Sequence, residues 1–184
     1  MFYISEIQKT APAEYKTDLQ RTVYETLAKL NIPFERVDTD DAITMDDCIL
    51  IDRKLDMKTV KTLFLCNRQQ TEFYLFITNA EKPFRTKEFA AALGVSRLSF
   101  APAELMQERL GTKVGAATVF GTLLDTKREM RVIFDKDIIS QEWYGCSDGT
   151  TTGYMKIGMR YILNDFLDHT GHRPDIITCE WSLL

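Results

Sequence analysis

The apolar patterning predicts an α+β protein in which a curved, mixed, barrel-like β-sheet packs against helices. Three observations carry this expectation. Two dense apolar runs, Lys61-Thr-Leu-Phe-Leu-Cys66 and Glu72-Phe-Tyr-Leu-Phe-Ile-Thr78, flank the polar stretch Asn67-Arg-Gln-Gln-Thr71 and form a strand hairpin. Apolar residues recur at helical spacing near both ends of the chain. No repeat, low-complexity tract or linker interrupts the 184 residues, so residues 1–184 are taken as one domain.

In chain order, Leu19, Val23, Leu27 and Leu30 give an amphipathic helix over residues 17–30. Thr17-x-x-Gln20 fits a capping box, and Asn31 and Pro33 end the helix. Phe34 to Val37 makes a short strand, and Asp38 to Asp47 is an acidic loop or the start of a helix. The two apolar strands carry apolar residues on both faces, so they belong inside a sheet covered on both sides. A helix runs from Thr86 to Leu93 and stops at Gly94; a second runs from Pro102 to Leu110 and stops at Gly111. Leu105, Met106 and Leu110 give the second its buried face. Thr118 to Leu124 and Met130 to Phe134 are expected to pair as another hairpin across Asp125-Thr-Lys-Arg-Glu129. Short strands at 142–144 and 154–157 flank Gly145-Cys-Ser-Asp-Gly-Thr-Thr-Thr-Gly153. Met159, Ile162, Leu163, Phe166 and Leu167 define the last helix, stopped by Gly171, before a strand over 176–181.

Composition is that of a soluble globular protein, 45% hydrophobic and 27% charged. No stretch reaches a membrane-spanning length. Met1-Phe-Tyr-Ile-Ser-Glu lacks the basic and apolar regions of a signal peptide, so a cytoplasmic location is expected. Four dispersed cysteines, with no C-x-x-C pair, are expected as free thiols. A net charge of −4 opposes broad nonspecific nucleic-acid binding but leaves room for a local basic surface. Acidic residues concentrate over 35–52 and basic ones over 53–68, the pattern of two solvated faces.

The stretch with most chemical promise is Gly111-Thr-Lys-Val-Gly-Ala-Ala-Thr-Val-Phe-Gly121. Glycine and small side chains let a ligand approach the backbone, whose N–H groups can then receive a charged oxygen. Such a loop also serves as a plain turn. Lys61 stands at a strand start, where lysine is ordinarily solvated; at a cleft rim it would bind a phosphate or ester oxygen. Thr150 and Thr152 share a face if the backbone is extended, otherwise they belong to a turn. Cys146 has no base near it in sequence, so a buried thiol is favoured over a nucleophile. His169 and His172 do not form a compact ligand pair with Cys146 or Cys179, and no metal is expected. A helix C-terminus, where an imidazolium meets the dipole, suits them better.

Taken as an ordered set, several segments resemble the YbaK/ProX family of aminoacyl-tRNA editing domains, closest to the freestanding prolyl-tRNA editing proteins. They are Lys61-Thr-Leu-Phe-Leu, Ala91-Ala-Leu-Gly-Val-Ser-Arg-Leu-Ser-Phe100, the Gly111–Gly121 loop, Val132-Ile-Phe-Asp-Lys-Asp137 and Phe166-Leu-Asp-His-Thr-Gly-His172. The resemblance covers nearly the whole chain. It implies that Lys61 is the family's functional lysine and that Gly115 and Thr118, with Ala116 and Ala117 between them, form the loop that closes on the aminoacyl ester. Thr150 and Thr152 match threonines of the family's His-Pro-x-x-Asn-Thr-x-Thr segment. Gly145 and Cys146 replace its His-Pro, and Gly149 its Asn. Val119 stands where the loop often has proline, and Thr62 where asparagine commonly follows the lysine.

The activity implied is trans-acting deacylation of a mischarged small amino acid, with Ala-tRNA(Pro) as first candidate. The partner is the aminoacyl-tRNA 3′ end, with no DNA, membrane or cofactor. An activated ester needs orientation and oxyanion stabilisation, without a metal or covalent nucleophile. The substituted pocket positions make a second expectation: a weak or silent relative that binds aminoacyl-tRNA, or another aminoacyl ligand, without turnover. If editing persists, Thr150, Thr152 and backbone groups position the substrate, and Gly149→Asn adds a pocket hydrogen bond wherever the backbone tolerates it.

Overall fold

The computed structural model describes residues 1–42 and 44–179. Helix α1 (Asp18–Lys29) buries Leu19, Val23 and Leu27 and starts at Thr17, whose hydroxyl accepts from the Gln20 amide at 3.0 Å. The reciprocal half of the capping box is absent. Gln20 Oε1 accepts from the Lys16 amide at 2.7 Å, and its Nε2 donates to Asp148 at 2.8 Å. A residue expected to cap its own helix therefore anchors a distant loop.

Strand β1 (Phe34–Asp38) leads through an acidic loop into α2 (Met45–Leu55). Thr44 and Asp47 form a complete capping box: Asp47 N donates to Thr44 Oγ1 at 3.1 Å and Thr44 N to Asp47 Oδ2 at 2.9 Å. Strands β2 (Val60–Asn67) and β3 (Phe73–Asn79) pair antiparallel, as the hairpin pattern predicts. Helix α3 (Thr86–Leu93), short strand β4 (Leu98–Phe100) and α4 (Ala103–Leu110) follow. Gly94 and Gly111 end the helices, both at φ +67°, the left-handed geometry of a C-cap.

The second predicted hairpin does not form. Val119–Leu124 is a 3-10 helix capped by the Thr118 hydroxyl, and β5 (Met130–Asp135) pairs in parallel with β3 instead. A short apolar run fits helix and strand alike, and here the close fit of Gly121 against Leu110 decides it. A Cβ at Gly121 would lie 2.7 Å from Leu110 Cδ2. One turn of helix, α5 (Lys136–Ile139), precedes β6 (Trp143–Ser147) and β7 (Gly153–Gly158), which pair antiparallel. The last predicted helix is a π-helical segment, Tyr161–Phe166, continued by α6 (Leu167–Thr170) and stopped at Gly171. Strand β8 is Asp175–Ile177; of the rest of the terminal strand expected over 176–181, residues 178–179 are not strand and 180–181 lie outside the described residues.

Among the described residues the strands form two open sheets, not one closed barrel-like sheet. The order is β4-β2-β3-β5-β8 in the larger, mixed sheet and β1-β7-β6 in the smaller, antiparallel one. Alternation along β3 shows how the layers are built. Phe73, Leu75 and Ile77 face the main core shared with α1, α4 and the small sheet. Tyr74 and Phe76 face a second cluster under α3. Helix α2 covers the other side of the small sheet, its Ile51 and Leu55 clustering with Val37 of β1 and Tyr154 of β7. A parallel bridge, Thr59 to Gly145, joins the two sheets. Among the described residues no helix is long and apolar enough to cross a membrane.

His172 ties the chain's last turn to the rest of the fold. Its Nε2 meets Asp125 Oδ2 at 2.8 Å and its Nδ1 meets Thr170 Oγ1 at 2.9 Å, while His169 is exposed. Burial pushes the Asp125 carboxyl up, but bonds from His172, Met130 N and Glu129 N outweigh it and hold the carboxyl below its ordinary value. A lowered carboxyl value adds stability above the unfolded value and loses it as pH falls through the folded one. The melting temperature of Asp125→Asn is therefore expected to fall less than that of wild type between about pH 5 and about pH 2. Equal acid slopes in thermal melts would show that the pair contributes nothing.

Candidate active site

A cavity of about 570 Å³ opens between the two sheets. Its walls come from α2 (Met45, Cys48, Ile49, Asp52), the start of β2 (Thr59 to Phe64), the turn after β3 (Ala80, Glu81) and the loop after α4 (Val114, Gly115, Ala117). Cys146 and Ser147 of β6 also line it. Lys61 and Gly115, expected from sequence to act together, thus share one cavity.

The glycine loop is a turn in which the Ala116 amide donates to the Lys113 carbonyl at 3.1 Å. Gly115 occupies its third position at φ +90°, which a type II turn requires and which side-chain-bearing residues resist. The amides of Gly115 and Ala117 donate to no protein acceptor among the described residues. Backbone amides left without a protein partner can receive a charged oxygen.

Lys61 is half-buried, and burial holds its ammonium below the ordinary lysine value. One of its N–H groups donates to the Lys82 carbonyl, leaving two for a ligand. Asp52, half-buried opposite in charge to Lys61, accepts from Thr59 N at 3.0 Å and from the Thr59 hydroxyl, both through Oδ1. Burial raises its carboxyl above the ordinary value, with the Thr59 bonds opposing. Cys146 is buried in β6: burial pushes its thiol far up, the Thr118 hydroxyl counters only in part, and Asp148 raises it further, all of which disfavours the thiolate.

The remaining predicted positions lie elsewhere. Thr118 is fully buried as the cap of the 3-10 helix, accepting from Phe120 N at 3.5 Å, and does not line the cavity. Ala116, Gly149, Thr150 and Thr152 line a second cavity of about 480 Å³, together with Lys16, Asp41 and Lys113. The Thr150 hydroxyl donates to Asp148 Oδ1 at 2.7 Å, and the Thr152 hydroxyl accepts from Lys16. Asp148 is completely buried and also receives Tyr24 OH at 2.9 Å and Gln20 Nε2 at 2.8 Å, so this segment is bound to α1. Gly145 sits against the chain at Lys58, outside either lining.

Sequence reasoning missed the α2 wall. The signal was present: Thr44-x-x-Asp47 before the apolar run Cys48-Ile-Leu-Ile51 is a helix-start pattern.

The α+β scaffold thus brings one lysine, the carboxylates of Asp52 and Glu81 and a glycine turn onto one cavity. The chain belongs to the aminoacyl-tRNA editing domain family, whose model matches residues 53–163. It is 28% identical over 124 residues to the prolyl-tRNA editing protein ProX of Acetoanaerobium sticklandii, spanning 67% of this chain and 76% of that protein. It is 25% identical to the prolyl-tRNA synthetase associated domain-containing protein 1 of Danio rerio, over 88% of each. In fold it is similar to a solved structure described as a trans-editing enzyme for prolyl tRNA synthetase, with a TM-score of 0.60 over 90% of this chain and 99% of the other at 14% identity. Family membership makes an aminoacyl-tRNA the ligand class.

Proposed function

We propose that this chain, acting as one domain, is a trans-acting deacylase that hydrolyses the ester of a mischarged small amino acid, with Ala-tRNA(Pro) as first candidate. The observation that carries this is the shared cavity of Lys61 and the Gly115 turn. Lys61 holds the terminal phosphate or ribose of the tRNA. Asp52 faces the substrate's α-ammonium through Oδ2, the oxygen that Thr59 does not use. Phe100, exposed at the rim, offers a stacking face for the terminal adenine.

Hydrolysis then needs few parts. Water, oriented by the substrate's own 2′-hydroxyl, adds to the ester carbonyl. The Gly115 and Ala117 amides hold the oxyanion. Collapse breaks the bond to the ribose oxygen, which takes up the proton lost by the attacking water, and the free amino acid and tRNA depart. A steric sieve sets the upper size of the side chain, since a tight pocket excludes larger groups more readily than smaller ones.

A silent binder is the second possibility, and the Thr150 hydroxyl favours it, being committed to Asp148 with no matching group from Gly145 or Gly149. Deacylation assays on a panel of mischarged tRNAs separate the two. The expected result is turnover of Ala-tRNA(Pro) or another small aminoacyl ester. Tight binding of an aminoacyl-tRNA with no hydrolysis of any panel member would establish the binder instead.

A further inference from the structure

Lys61 does not stand alone at the cavity; its acceptor is part of a built arrangement. The Lys82 carbonyl receives Lys61 Nζ, and the Lys82 side chain turns back into the fold. Its ammonium meets Asp135 Oδ2 at 2.8 Å and Asp137 Oδ2 at 2.8 Å. Asp135 is completely buried at the end of β5 and also accepts from the Thr78 hydroxyl at 2.7 Å and the Asp137 amide at 3.1 Å. Thr78 is the cross-strand partner of Lys61 in the β2–β3 pair. Ala80 and Glu81, just before Lys82, form part of the cavity wall.

We infer that Lys82 and Asp135 are positioning residues for Lys61, clamping the turn after β3 so that its carbonyl fixes the direction of the Lys61 ammonium. The physical case is one of restraint. A lysine side chain has four rotatable bonds, and an ammonium free at a cavity mouth samples many orientations. A carbonyl acceptor selects one of them only if the carbonyl itself is held. The 79–82 turn lies beyond the end of the β2–β3 ladder, closed locally by the Lys82 amide on the Asn79 carbonyl at 3.1 Å, and a buried carboxylate bridged to a lysine supplies an anchor to the neighbouring strand β5. Charge-assisted bonds are the short, strong kind suited to this. Neither Lys82 nor Asp135 lines the cavity, so both act through Lys61.

This inference rests on the deacylase proposal for its catalytic consequence, but the clamp can be tested without it. In ligand-free protein, reductive methylation followed by mass spectrometry reads the reactivity of each lysine. Lys61 is expected to react faster in Lys82→Met than in wild type, and at the wild-type rate in Lys82→Arg, whose guanidinium also reaches both carboxylates. An unchanged Lys61 rate in folded Lys82→Met overturns the clamp. Asp135→Asn should act like Lys82→Met; if it does not fold, Lys82→Met carries the test.

The second arm is a cycle on Ala-tRNA(Pro) deacylation. Lys82→Met is expected to lower kcat/KM roughly three- to tenfold in the wild-type background. In the Lys61→Ala background it should cost nothing further, because its only route to the substrate is gone. An equal loss in both backgrounds overturns the positioning role. Faster Lys61 methylation in a protein that hydrolyses no ester would uphold the clamp while the deacylase proposal fails.

Discussion

Lys61→Ala is expected to lower kcat/KM for a mischarged tRNA by roughly one to two orders of magnitude, with the fold intact. A hydrogen bond to a charged group is worth about 1.5–3 kcal/mol, which sets that range. The substitution removes the cation that the cavity offers to a phosphate or ester oxygen. Structurally it deletes one bond, to the Lys82 carbonyl, which cavity water can replace. The β2–β3 ladder runs through backbone groups and keeps its register. Thermal melting should shift by no more than about 2–4 °C, the equivalent of about 1 kcal/mol at this size. Near wild-type turnover in folded Lys61→Ala would remove Lys61 from the site.

The glycines at 145 and 149 are expected to reject side chains, against the gain that Gly149→Asn promised from sequence. Gly149 has φ +96°, and a Cβ there would stand 2.9 Å from Leu19 Cδ2. At Gly145 a Cβ would lie 2.7 Å from the Lys58 carbonyl oxygen, where the bridge to Thr59 joins the sheets. A leucine end can shift, whereas a backbone carbonyl in a sheet junction cannot. Overpacking costs about 1–3 kcal/mol, and strain at a positive φ adds to it for Gly149. Both Gly145→Ala and Gly149→Asn should therefore melt lower than wild type, Gly145→Ala by the larger amount. An unchanged melting temperature in Gly145→Ala would mean that the sheet junction is looser than the distances imply. A Gly149→Asn variant that keeps its stability and gains turnover would restore the pocket role of that position.

The consequence for the site is specific. At Gly149 and Gly145 this chain has backbone packed against α1 and the Lys58 carbonyl, while the Thr150 hydroxyl serves Asp148 and the Thr152 hydroxyl accepts from Lys16. The polar groups at the main cavity come instead from Asp52, Thr59 and Glu81. Asp52 lies on α2, Thr59 just before β2 and Glu81 in the turn after β3, none of them within a segment that carries the resemblance.

What the sequence by itself determined is local or periodic. Helix α1 was legible from Leu19, Val23 and Leu27, the β2–β3 hairpin from its two apolar runs, and the helix stops from Gly94, Gly111 and Gly171. In each, the signal lies within a few residues of the structure it produces. The pairing of Lys61 with Gly115 was legible through family resemblance, not spacing. Tertiary structure decided the rest, because the partners are distant along the chain. Val119–Leu124 suits strand or helix until Leu110 packs on Gly121. Gln20 caps its helix on paper but bonds Asp148, 128 residues away, in the fold. The parallel alignment of β5 on β3 and the turn of Lys82 toward Asp135 likewise follow from how the layers stack. Hydrogen bonds and steric contacts of that range leave no periodic trace in sequence, and they are what separates the Lys61 cavity from the Thr150 segment.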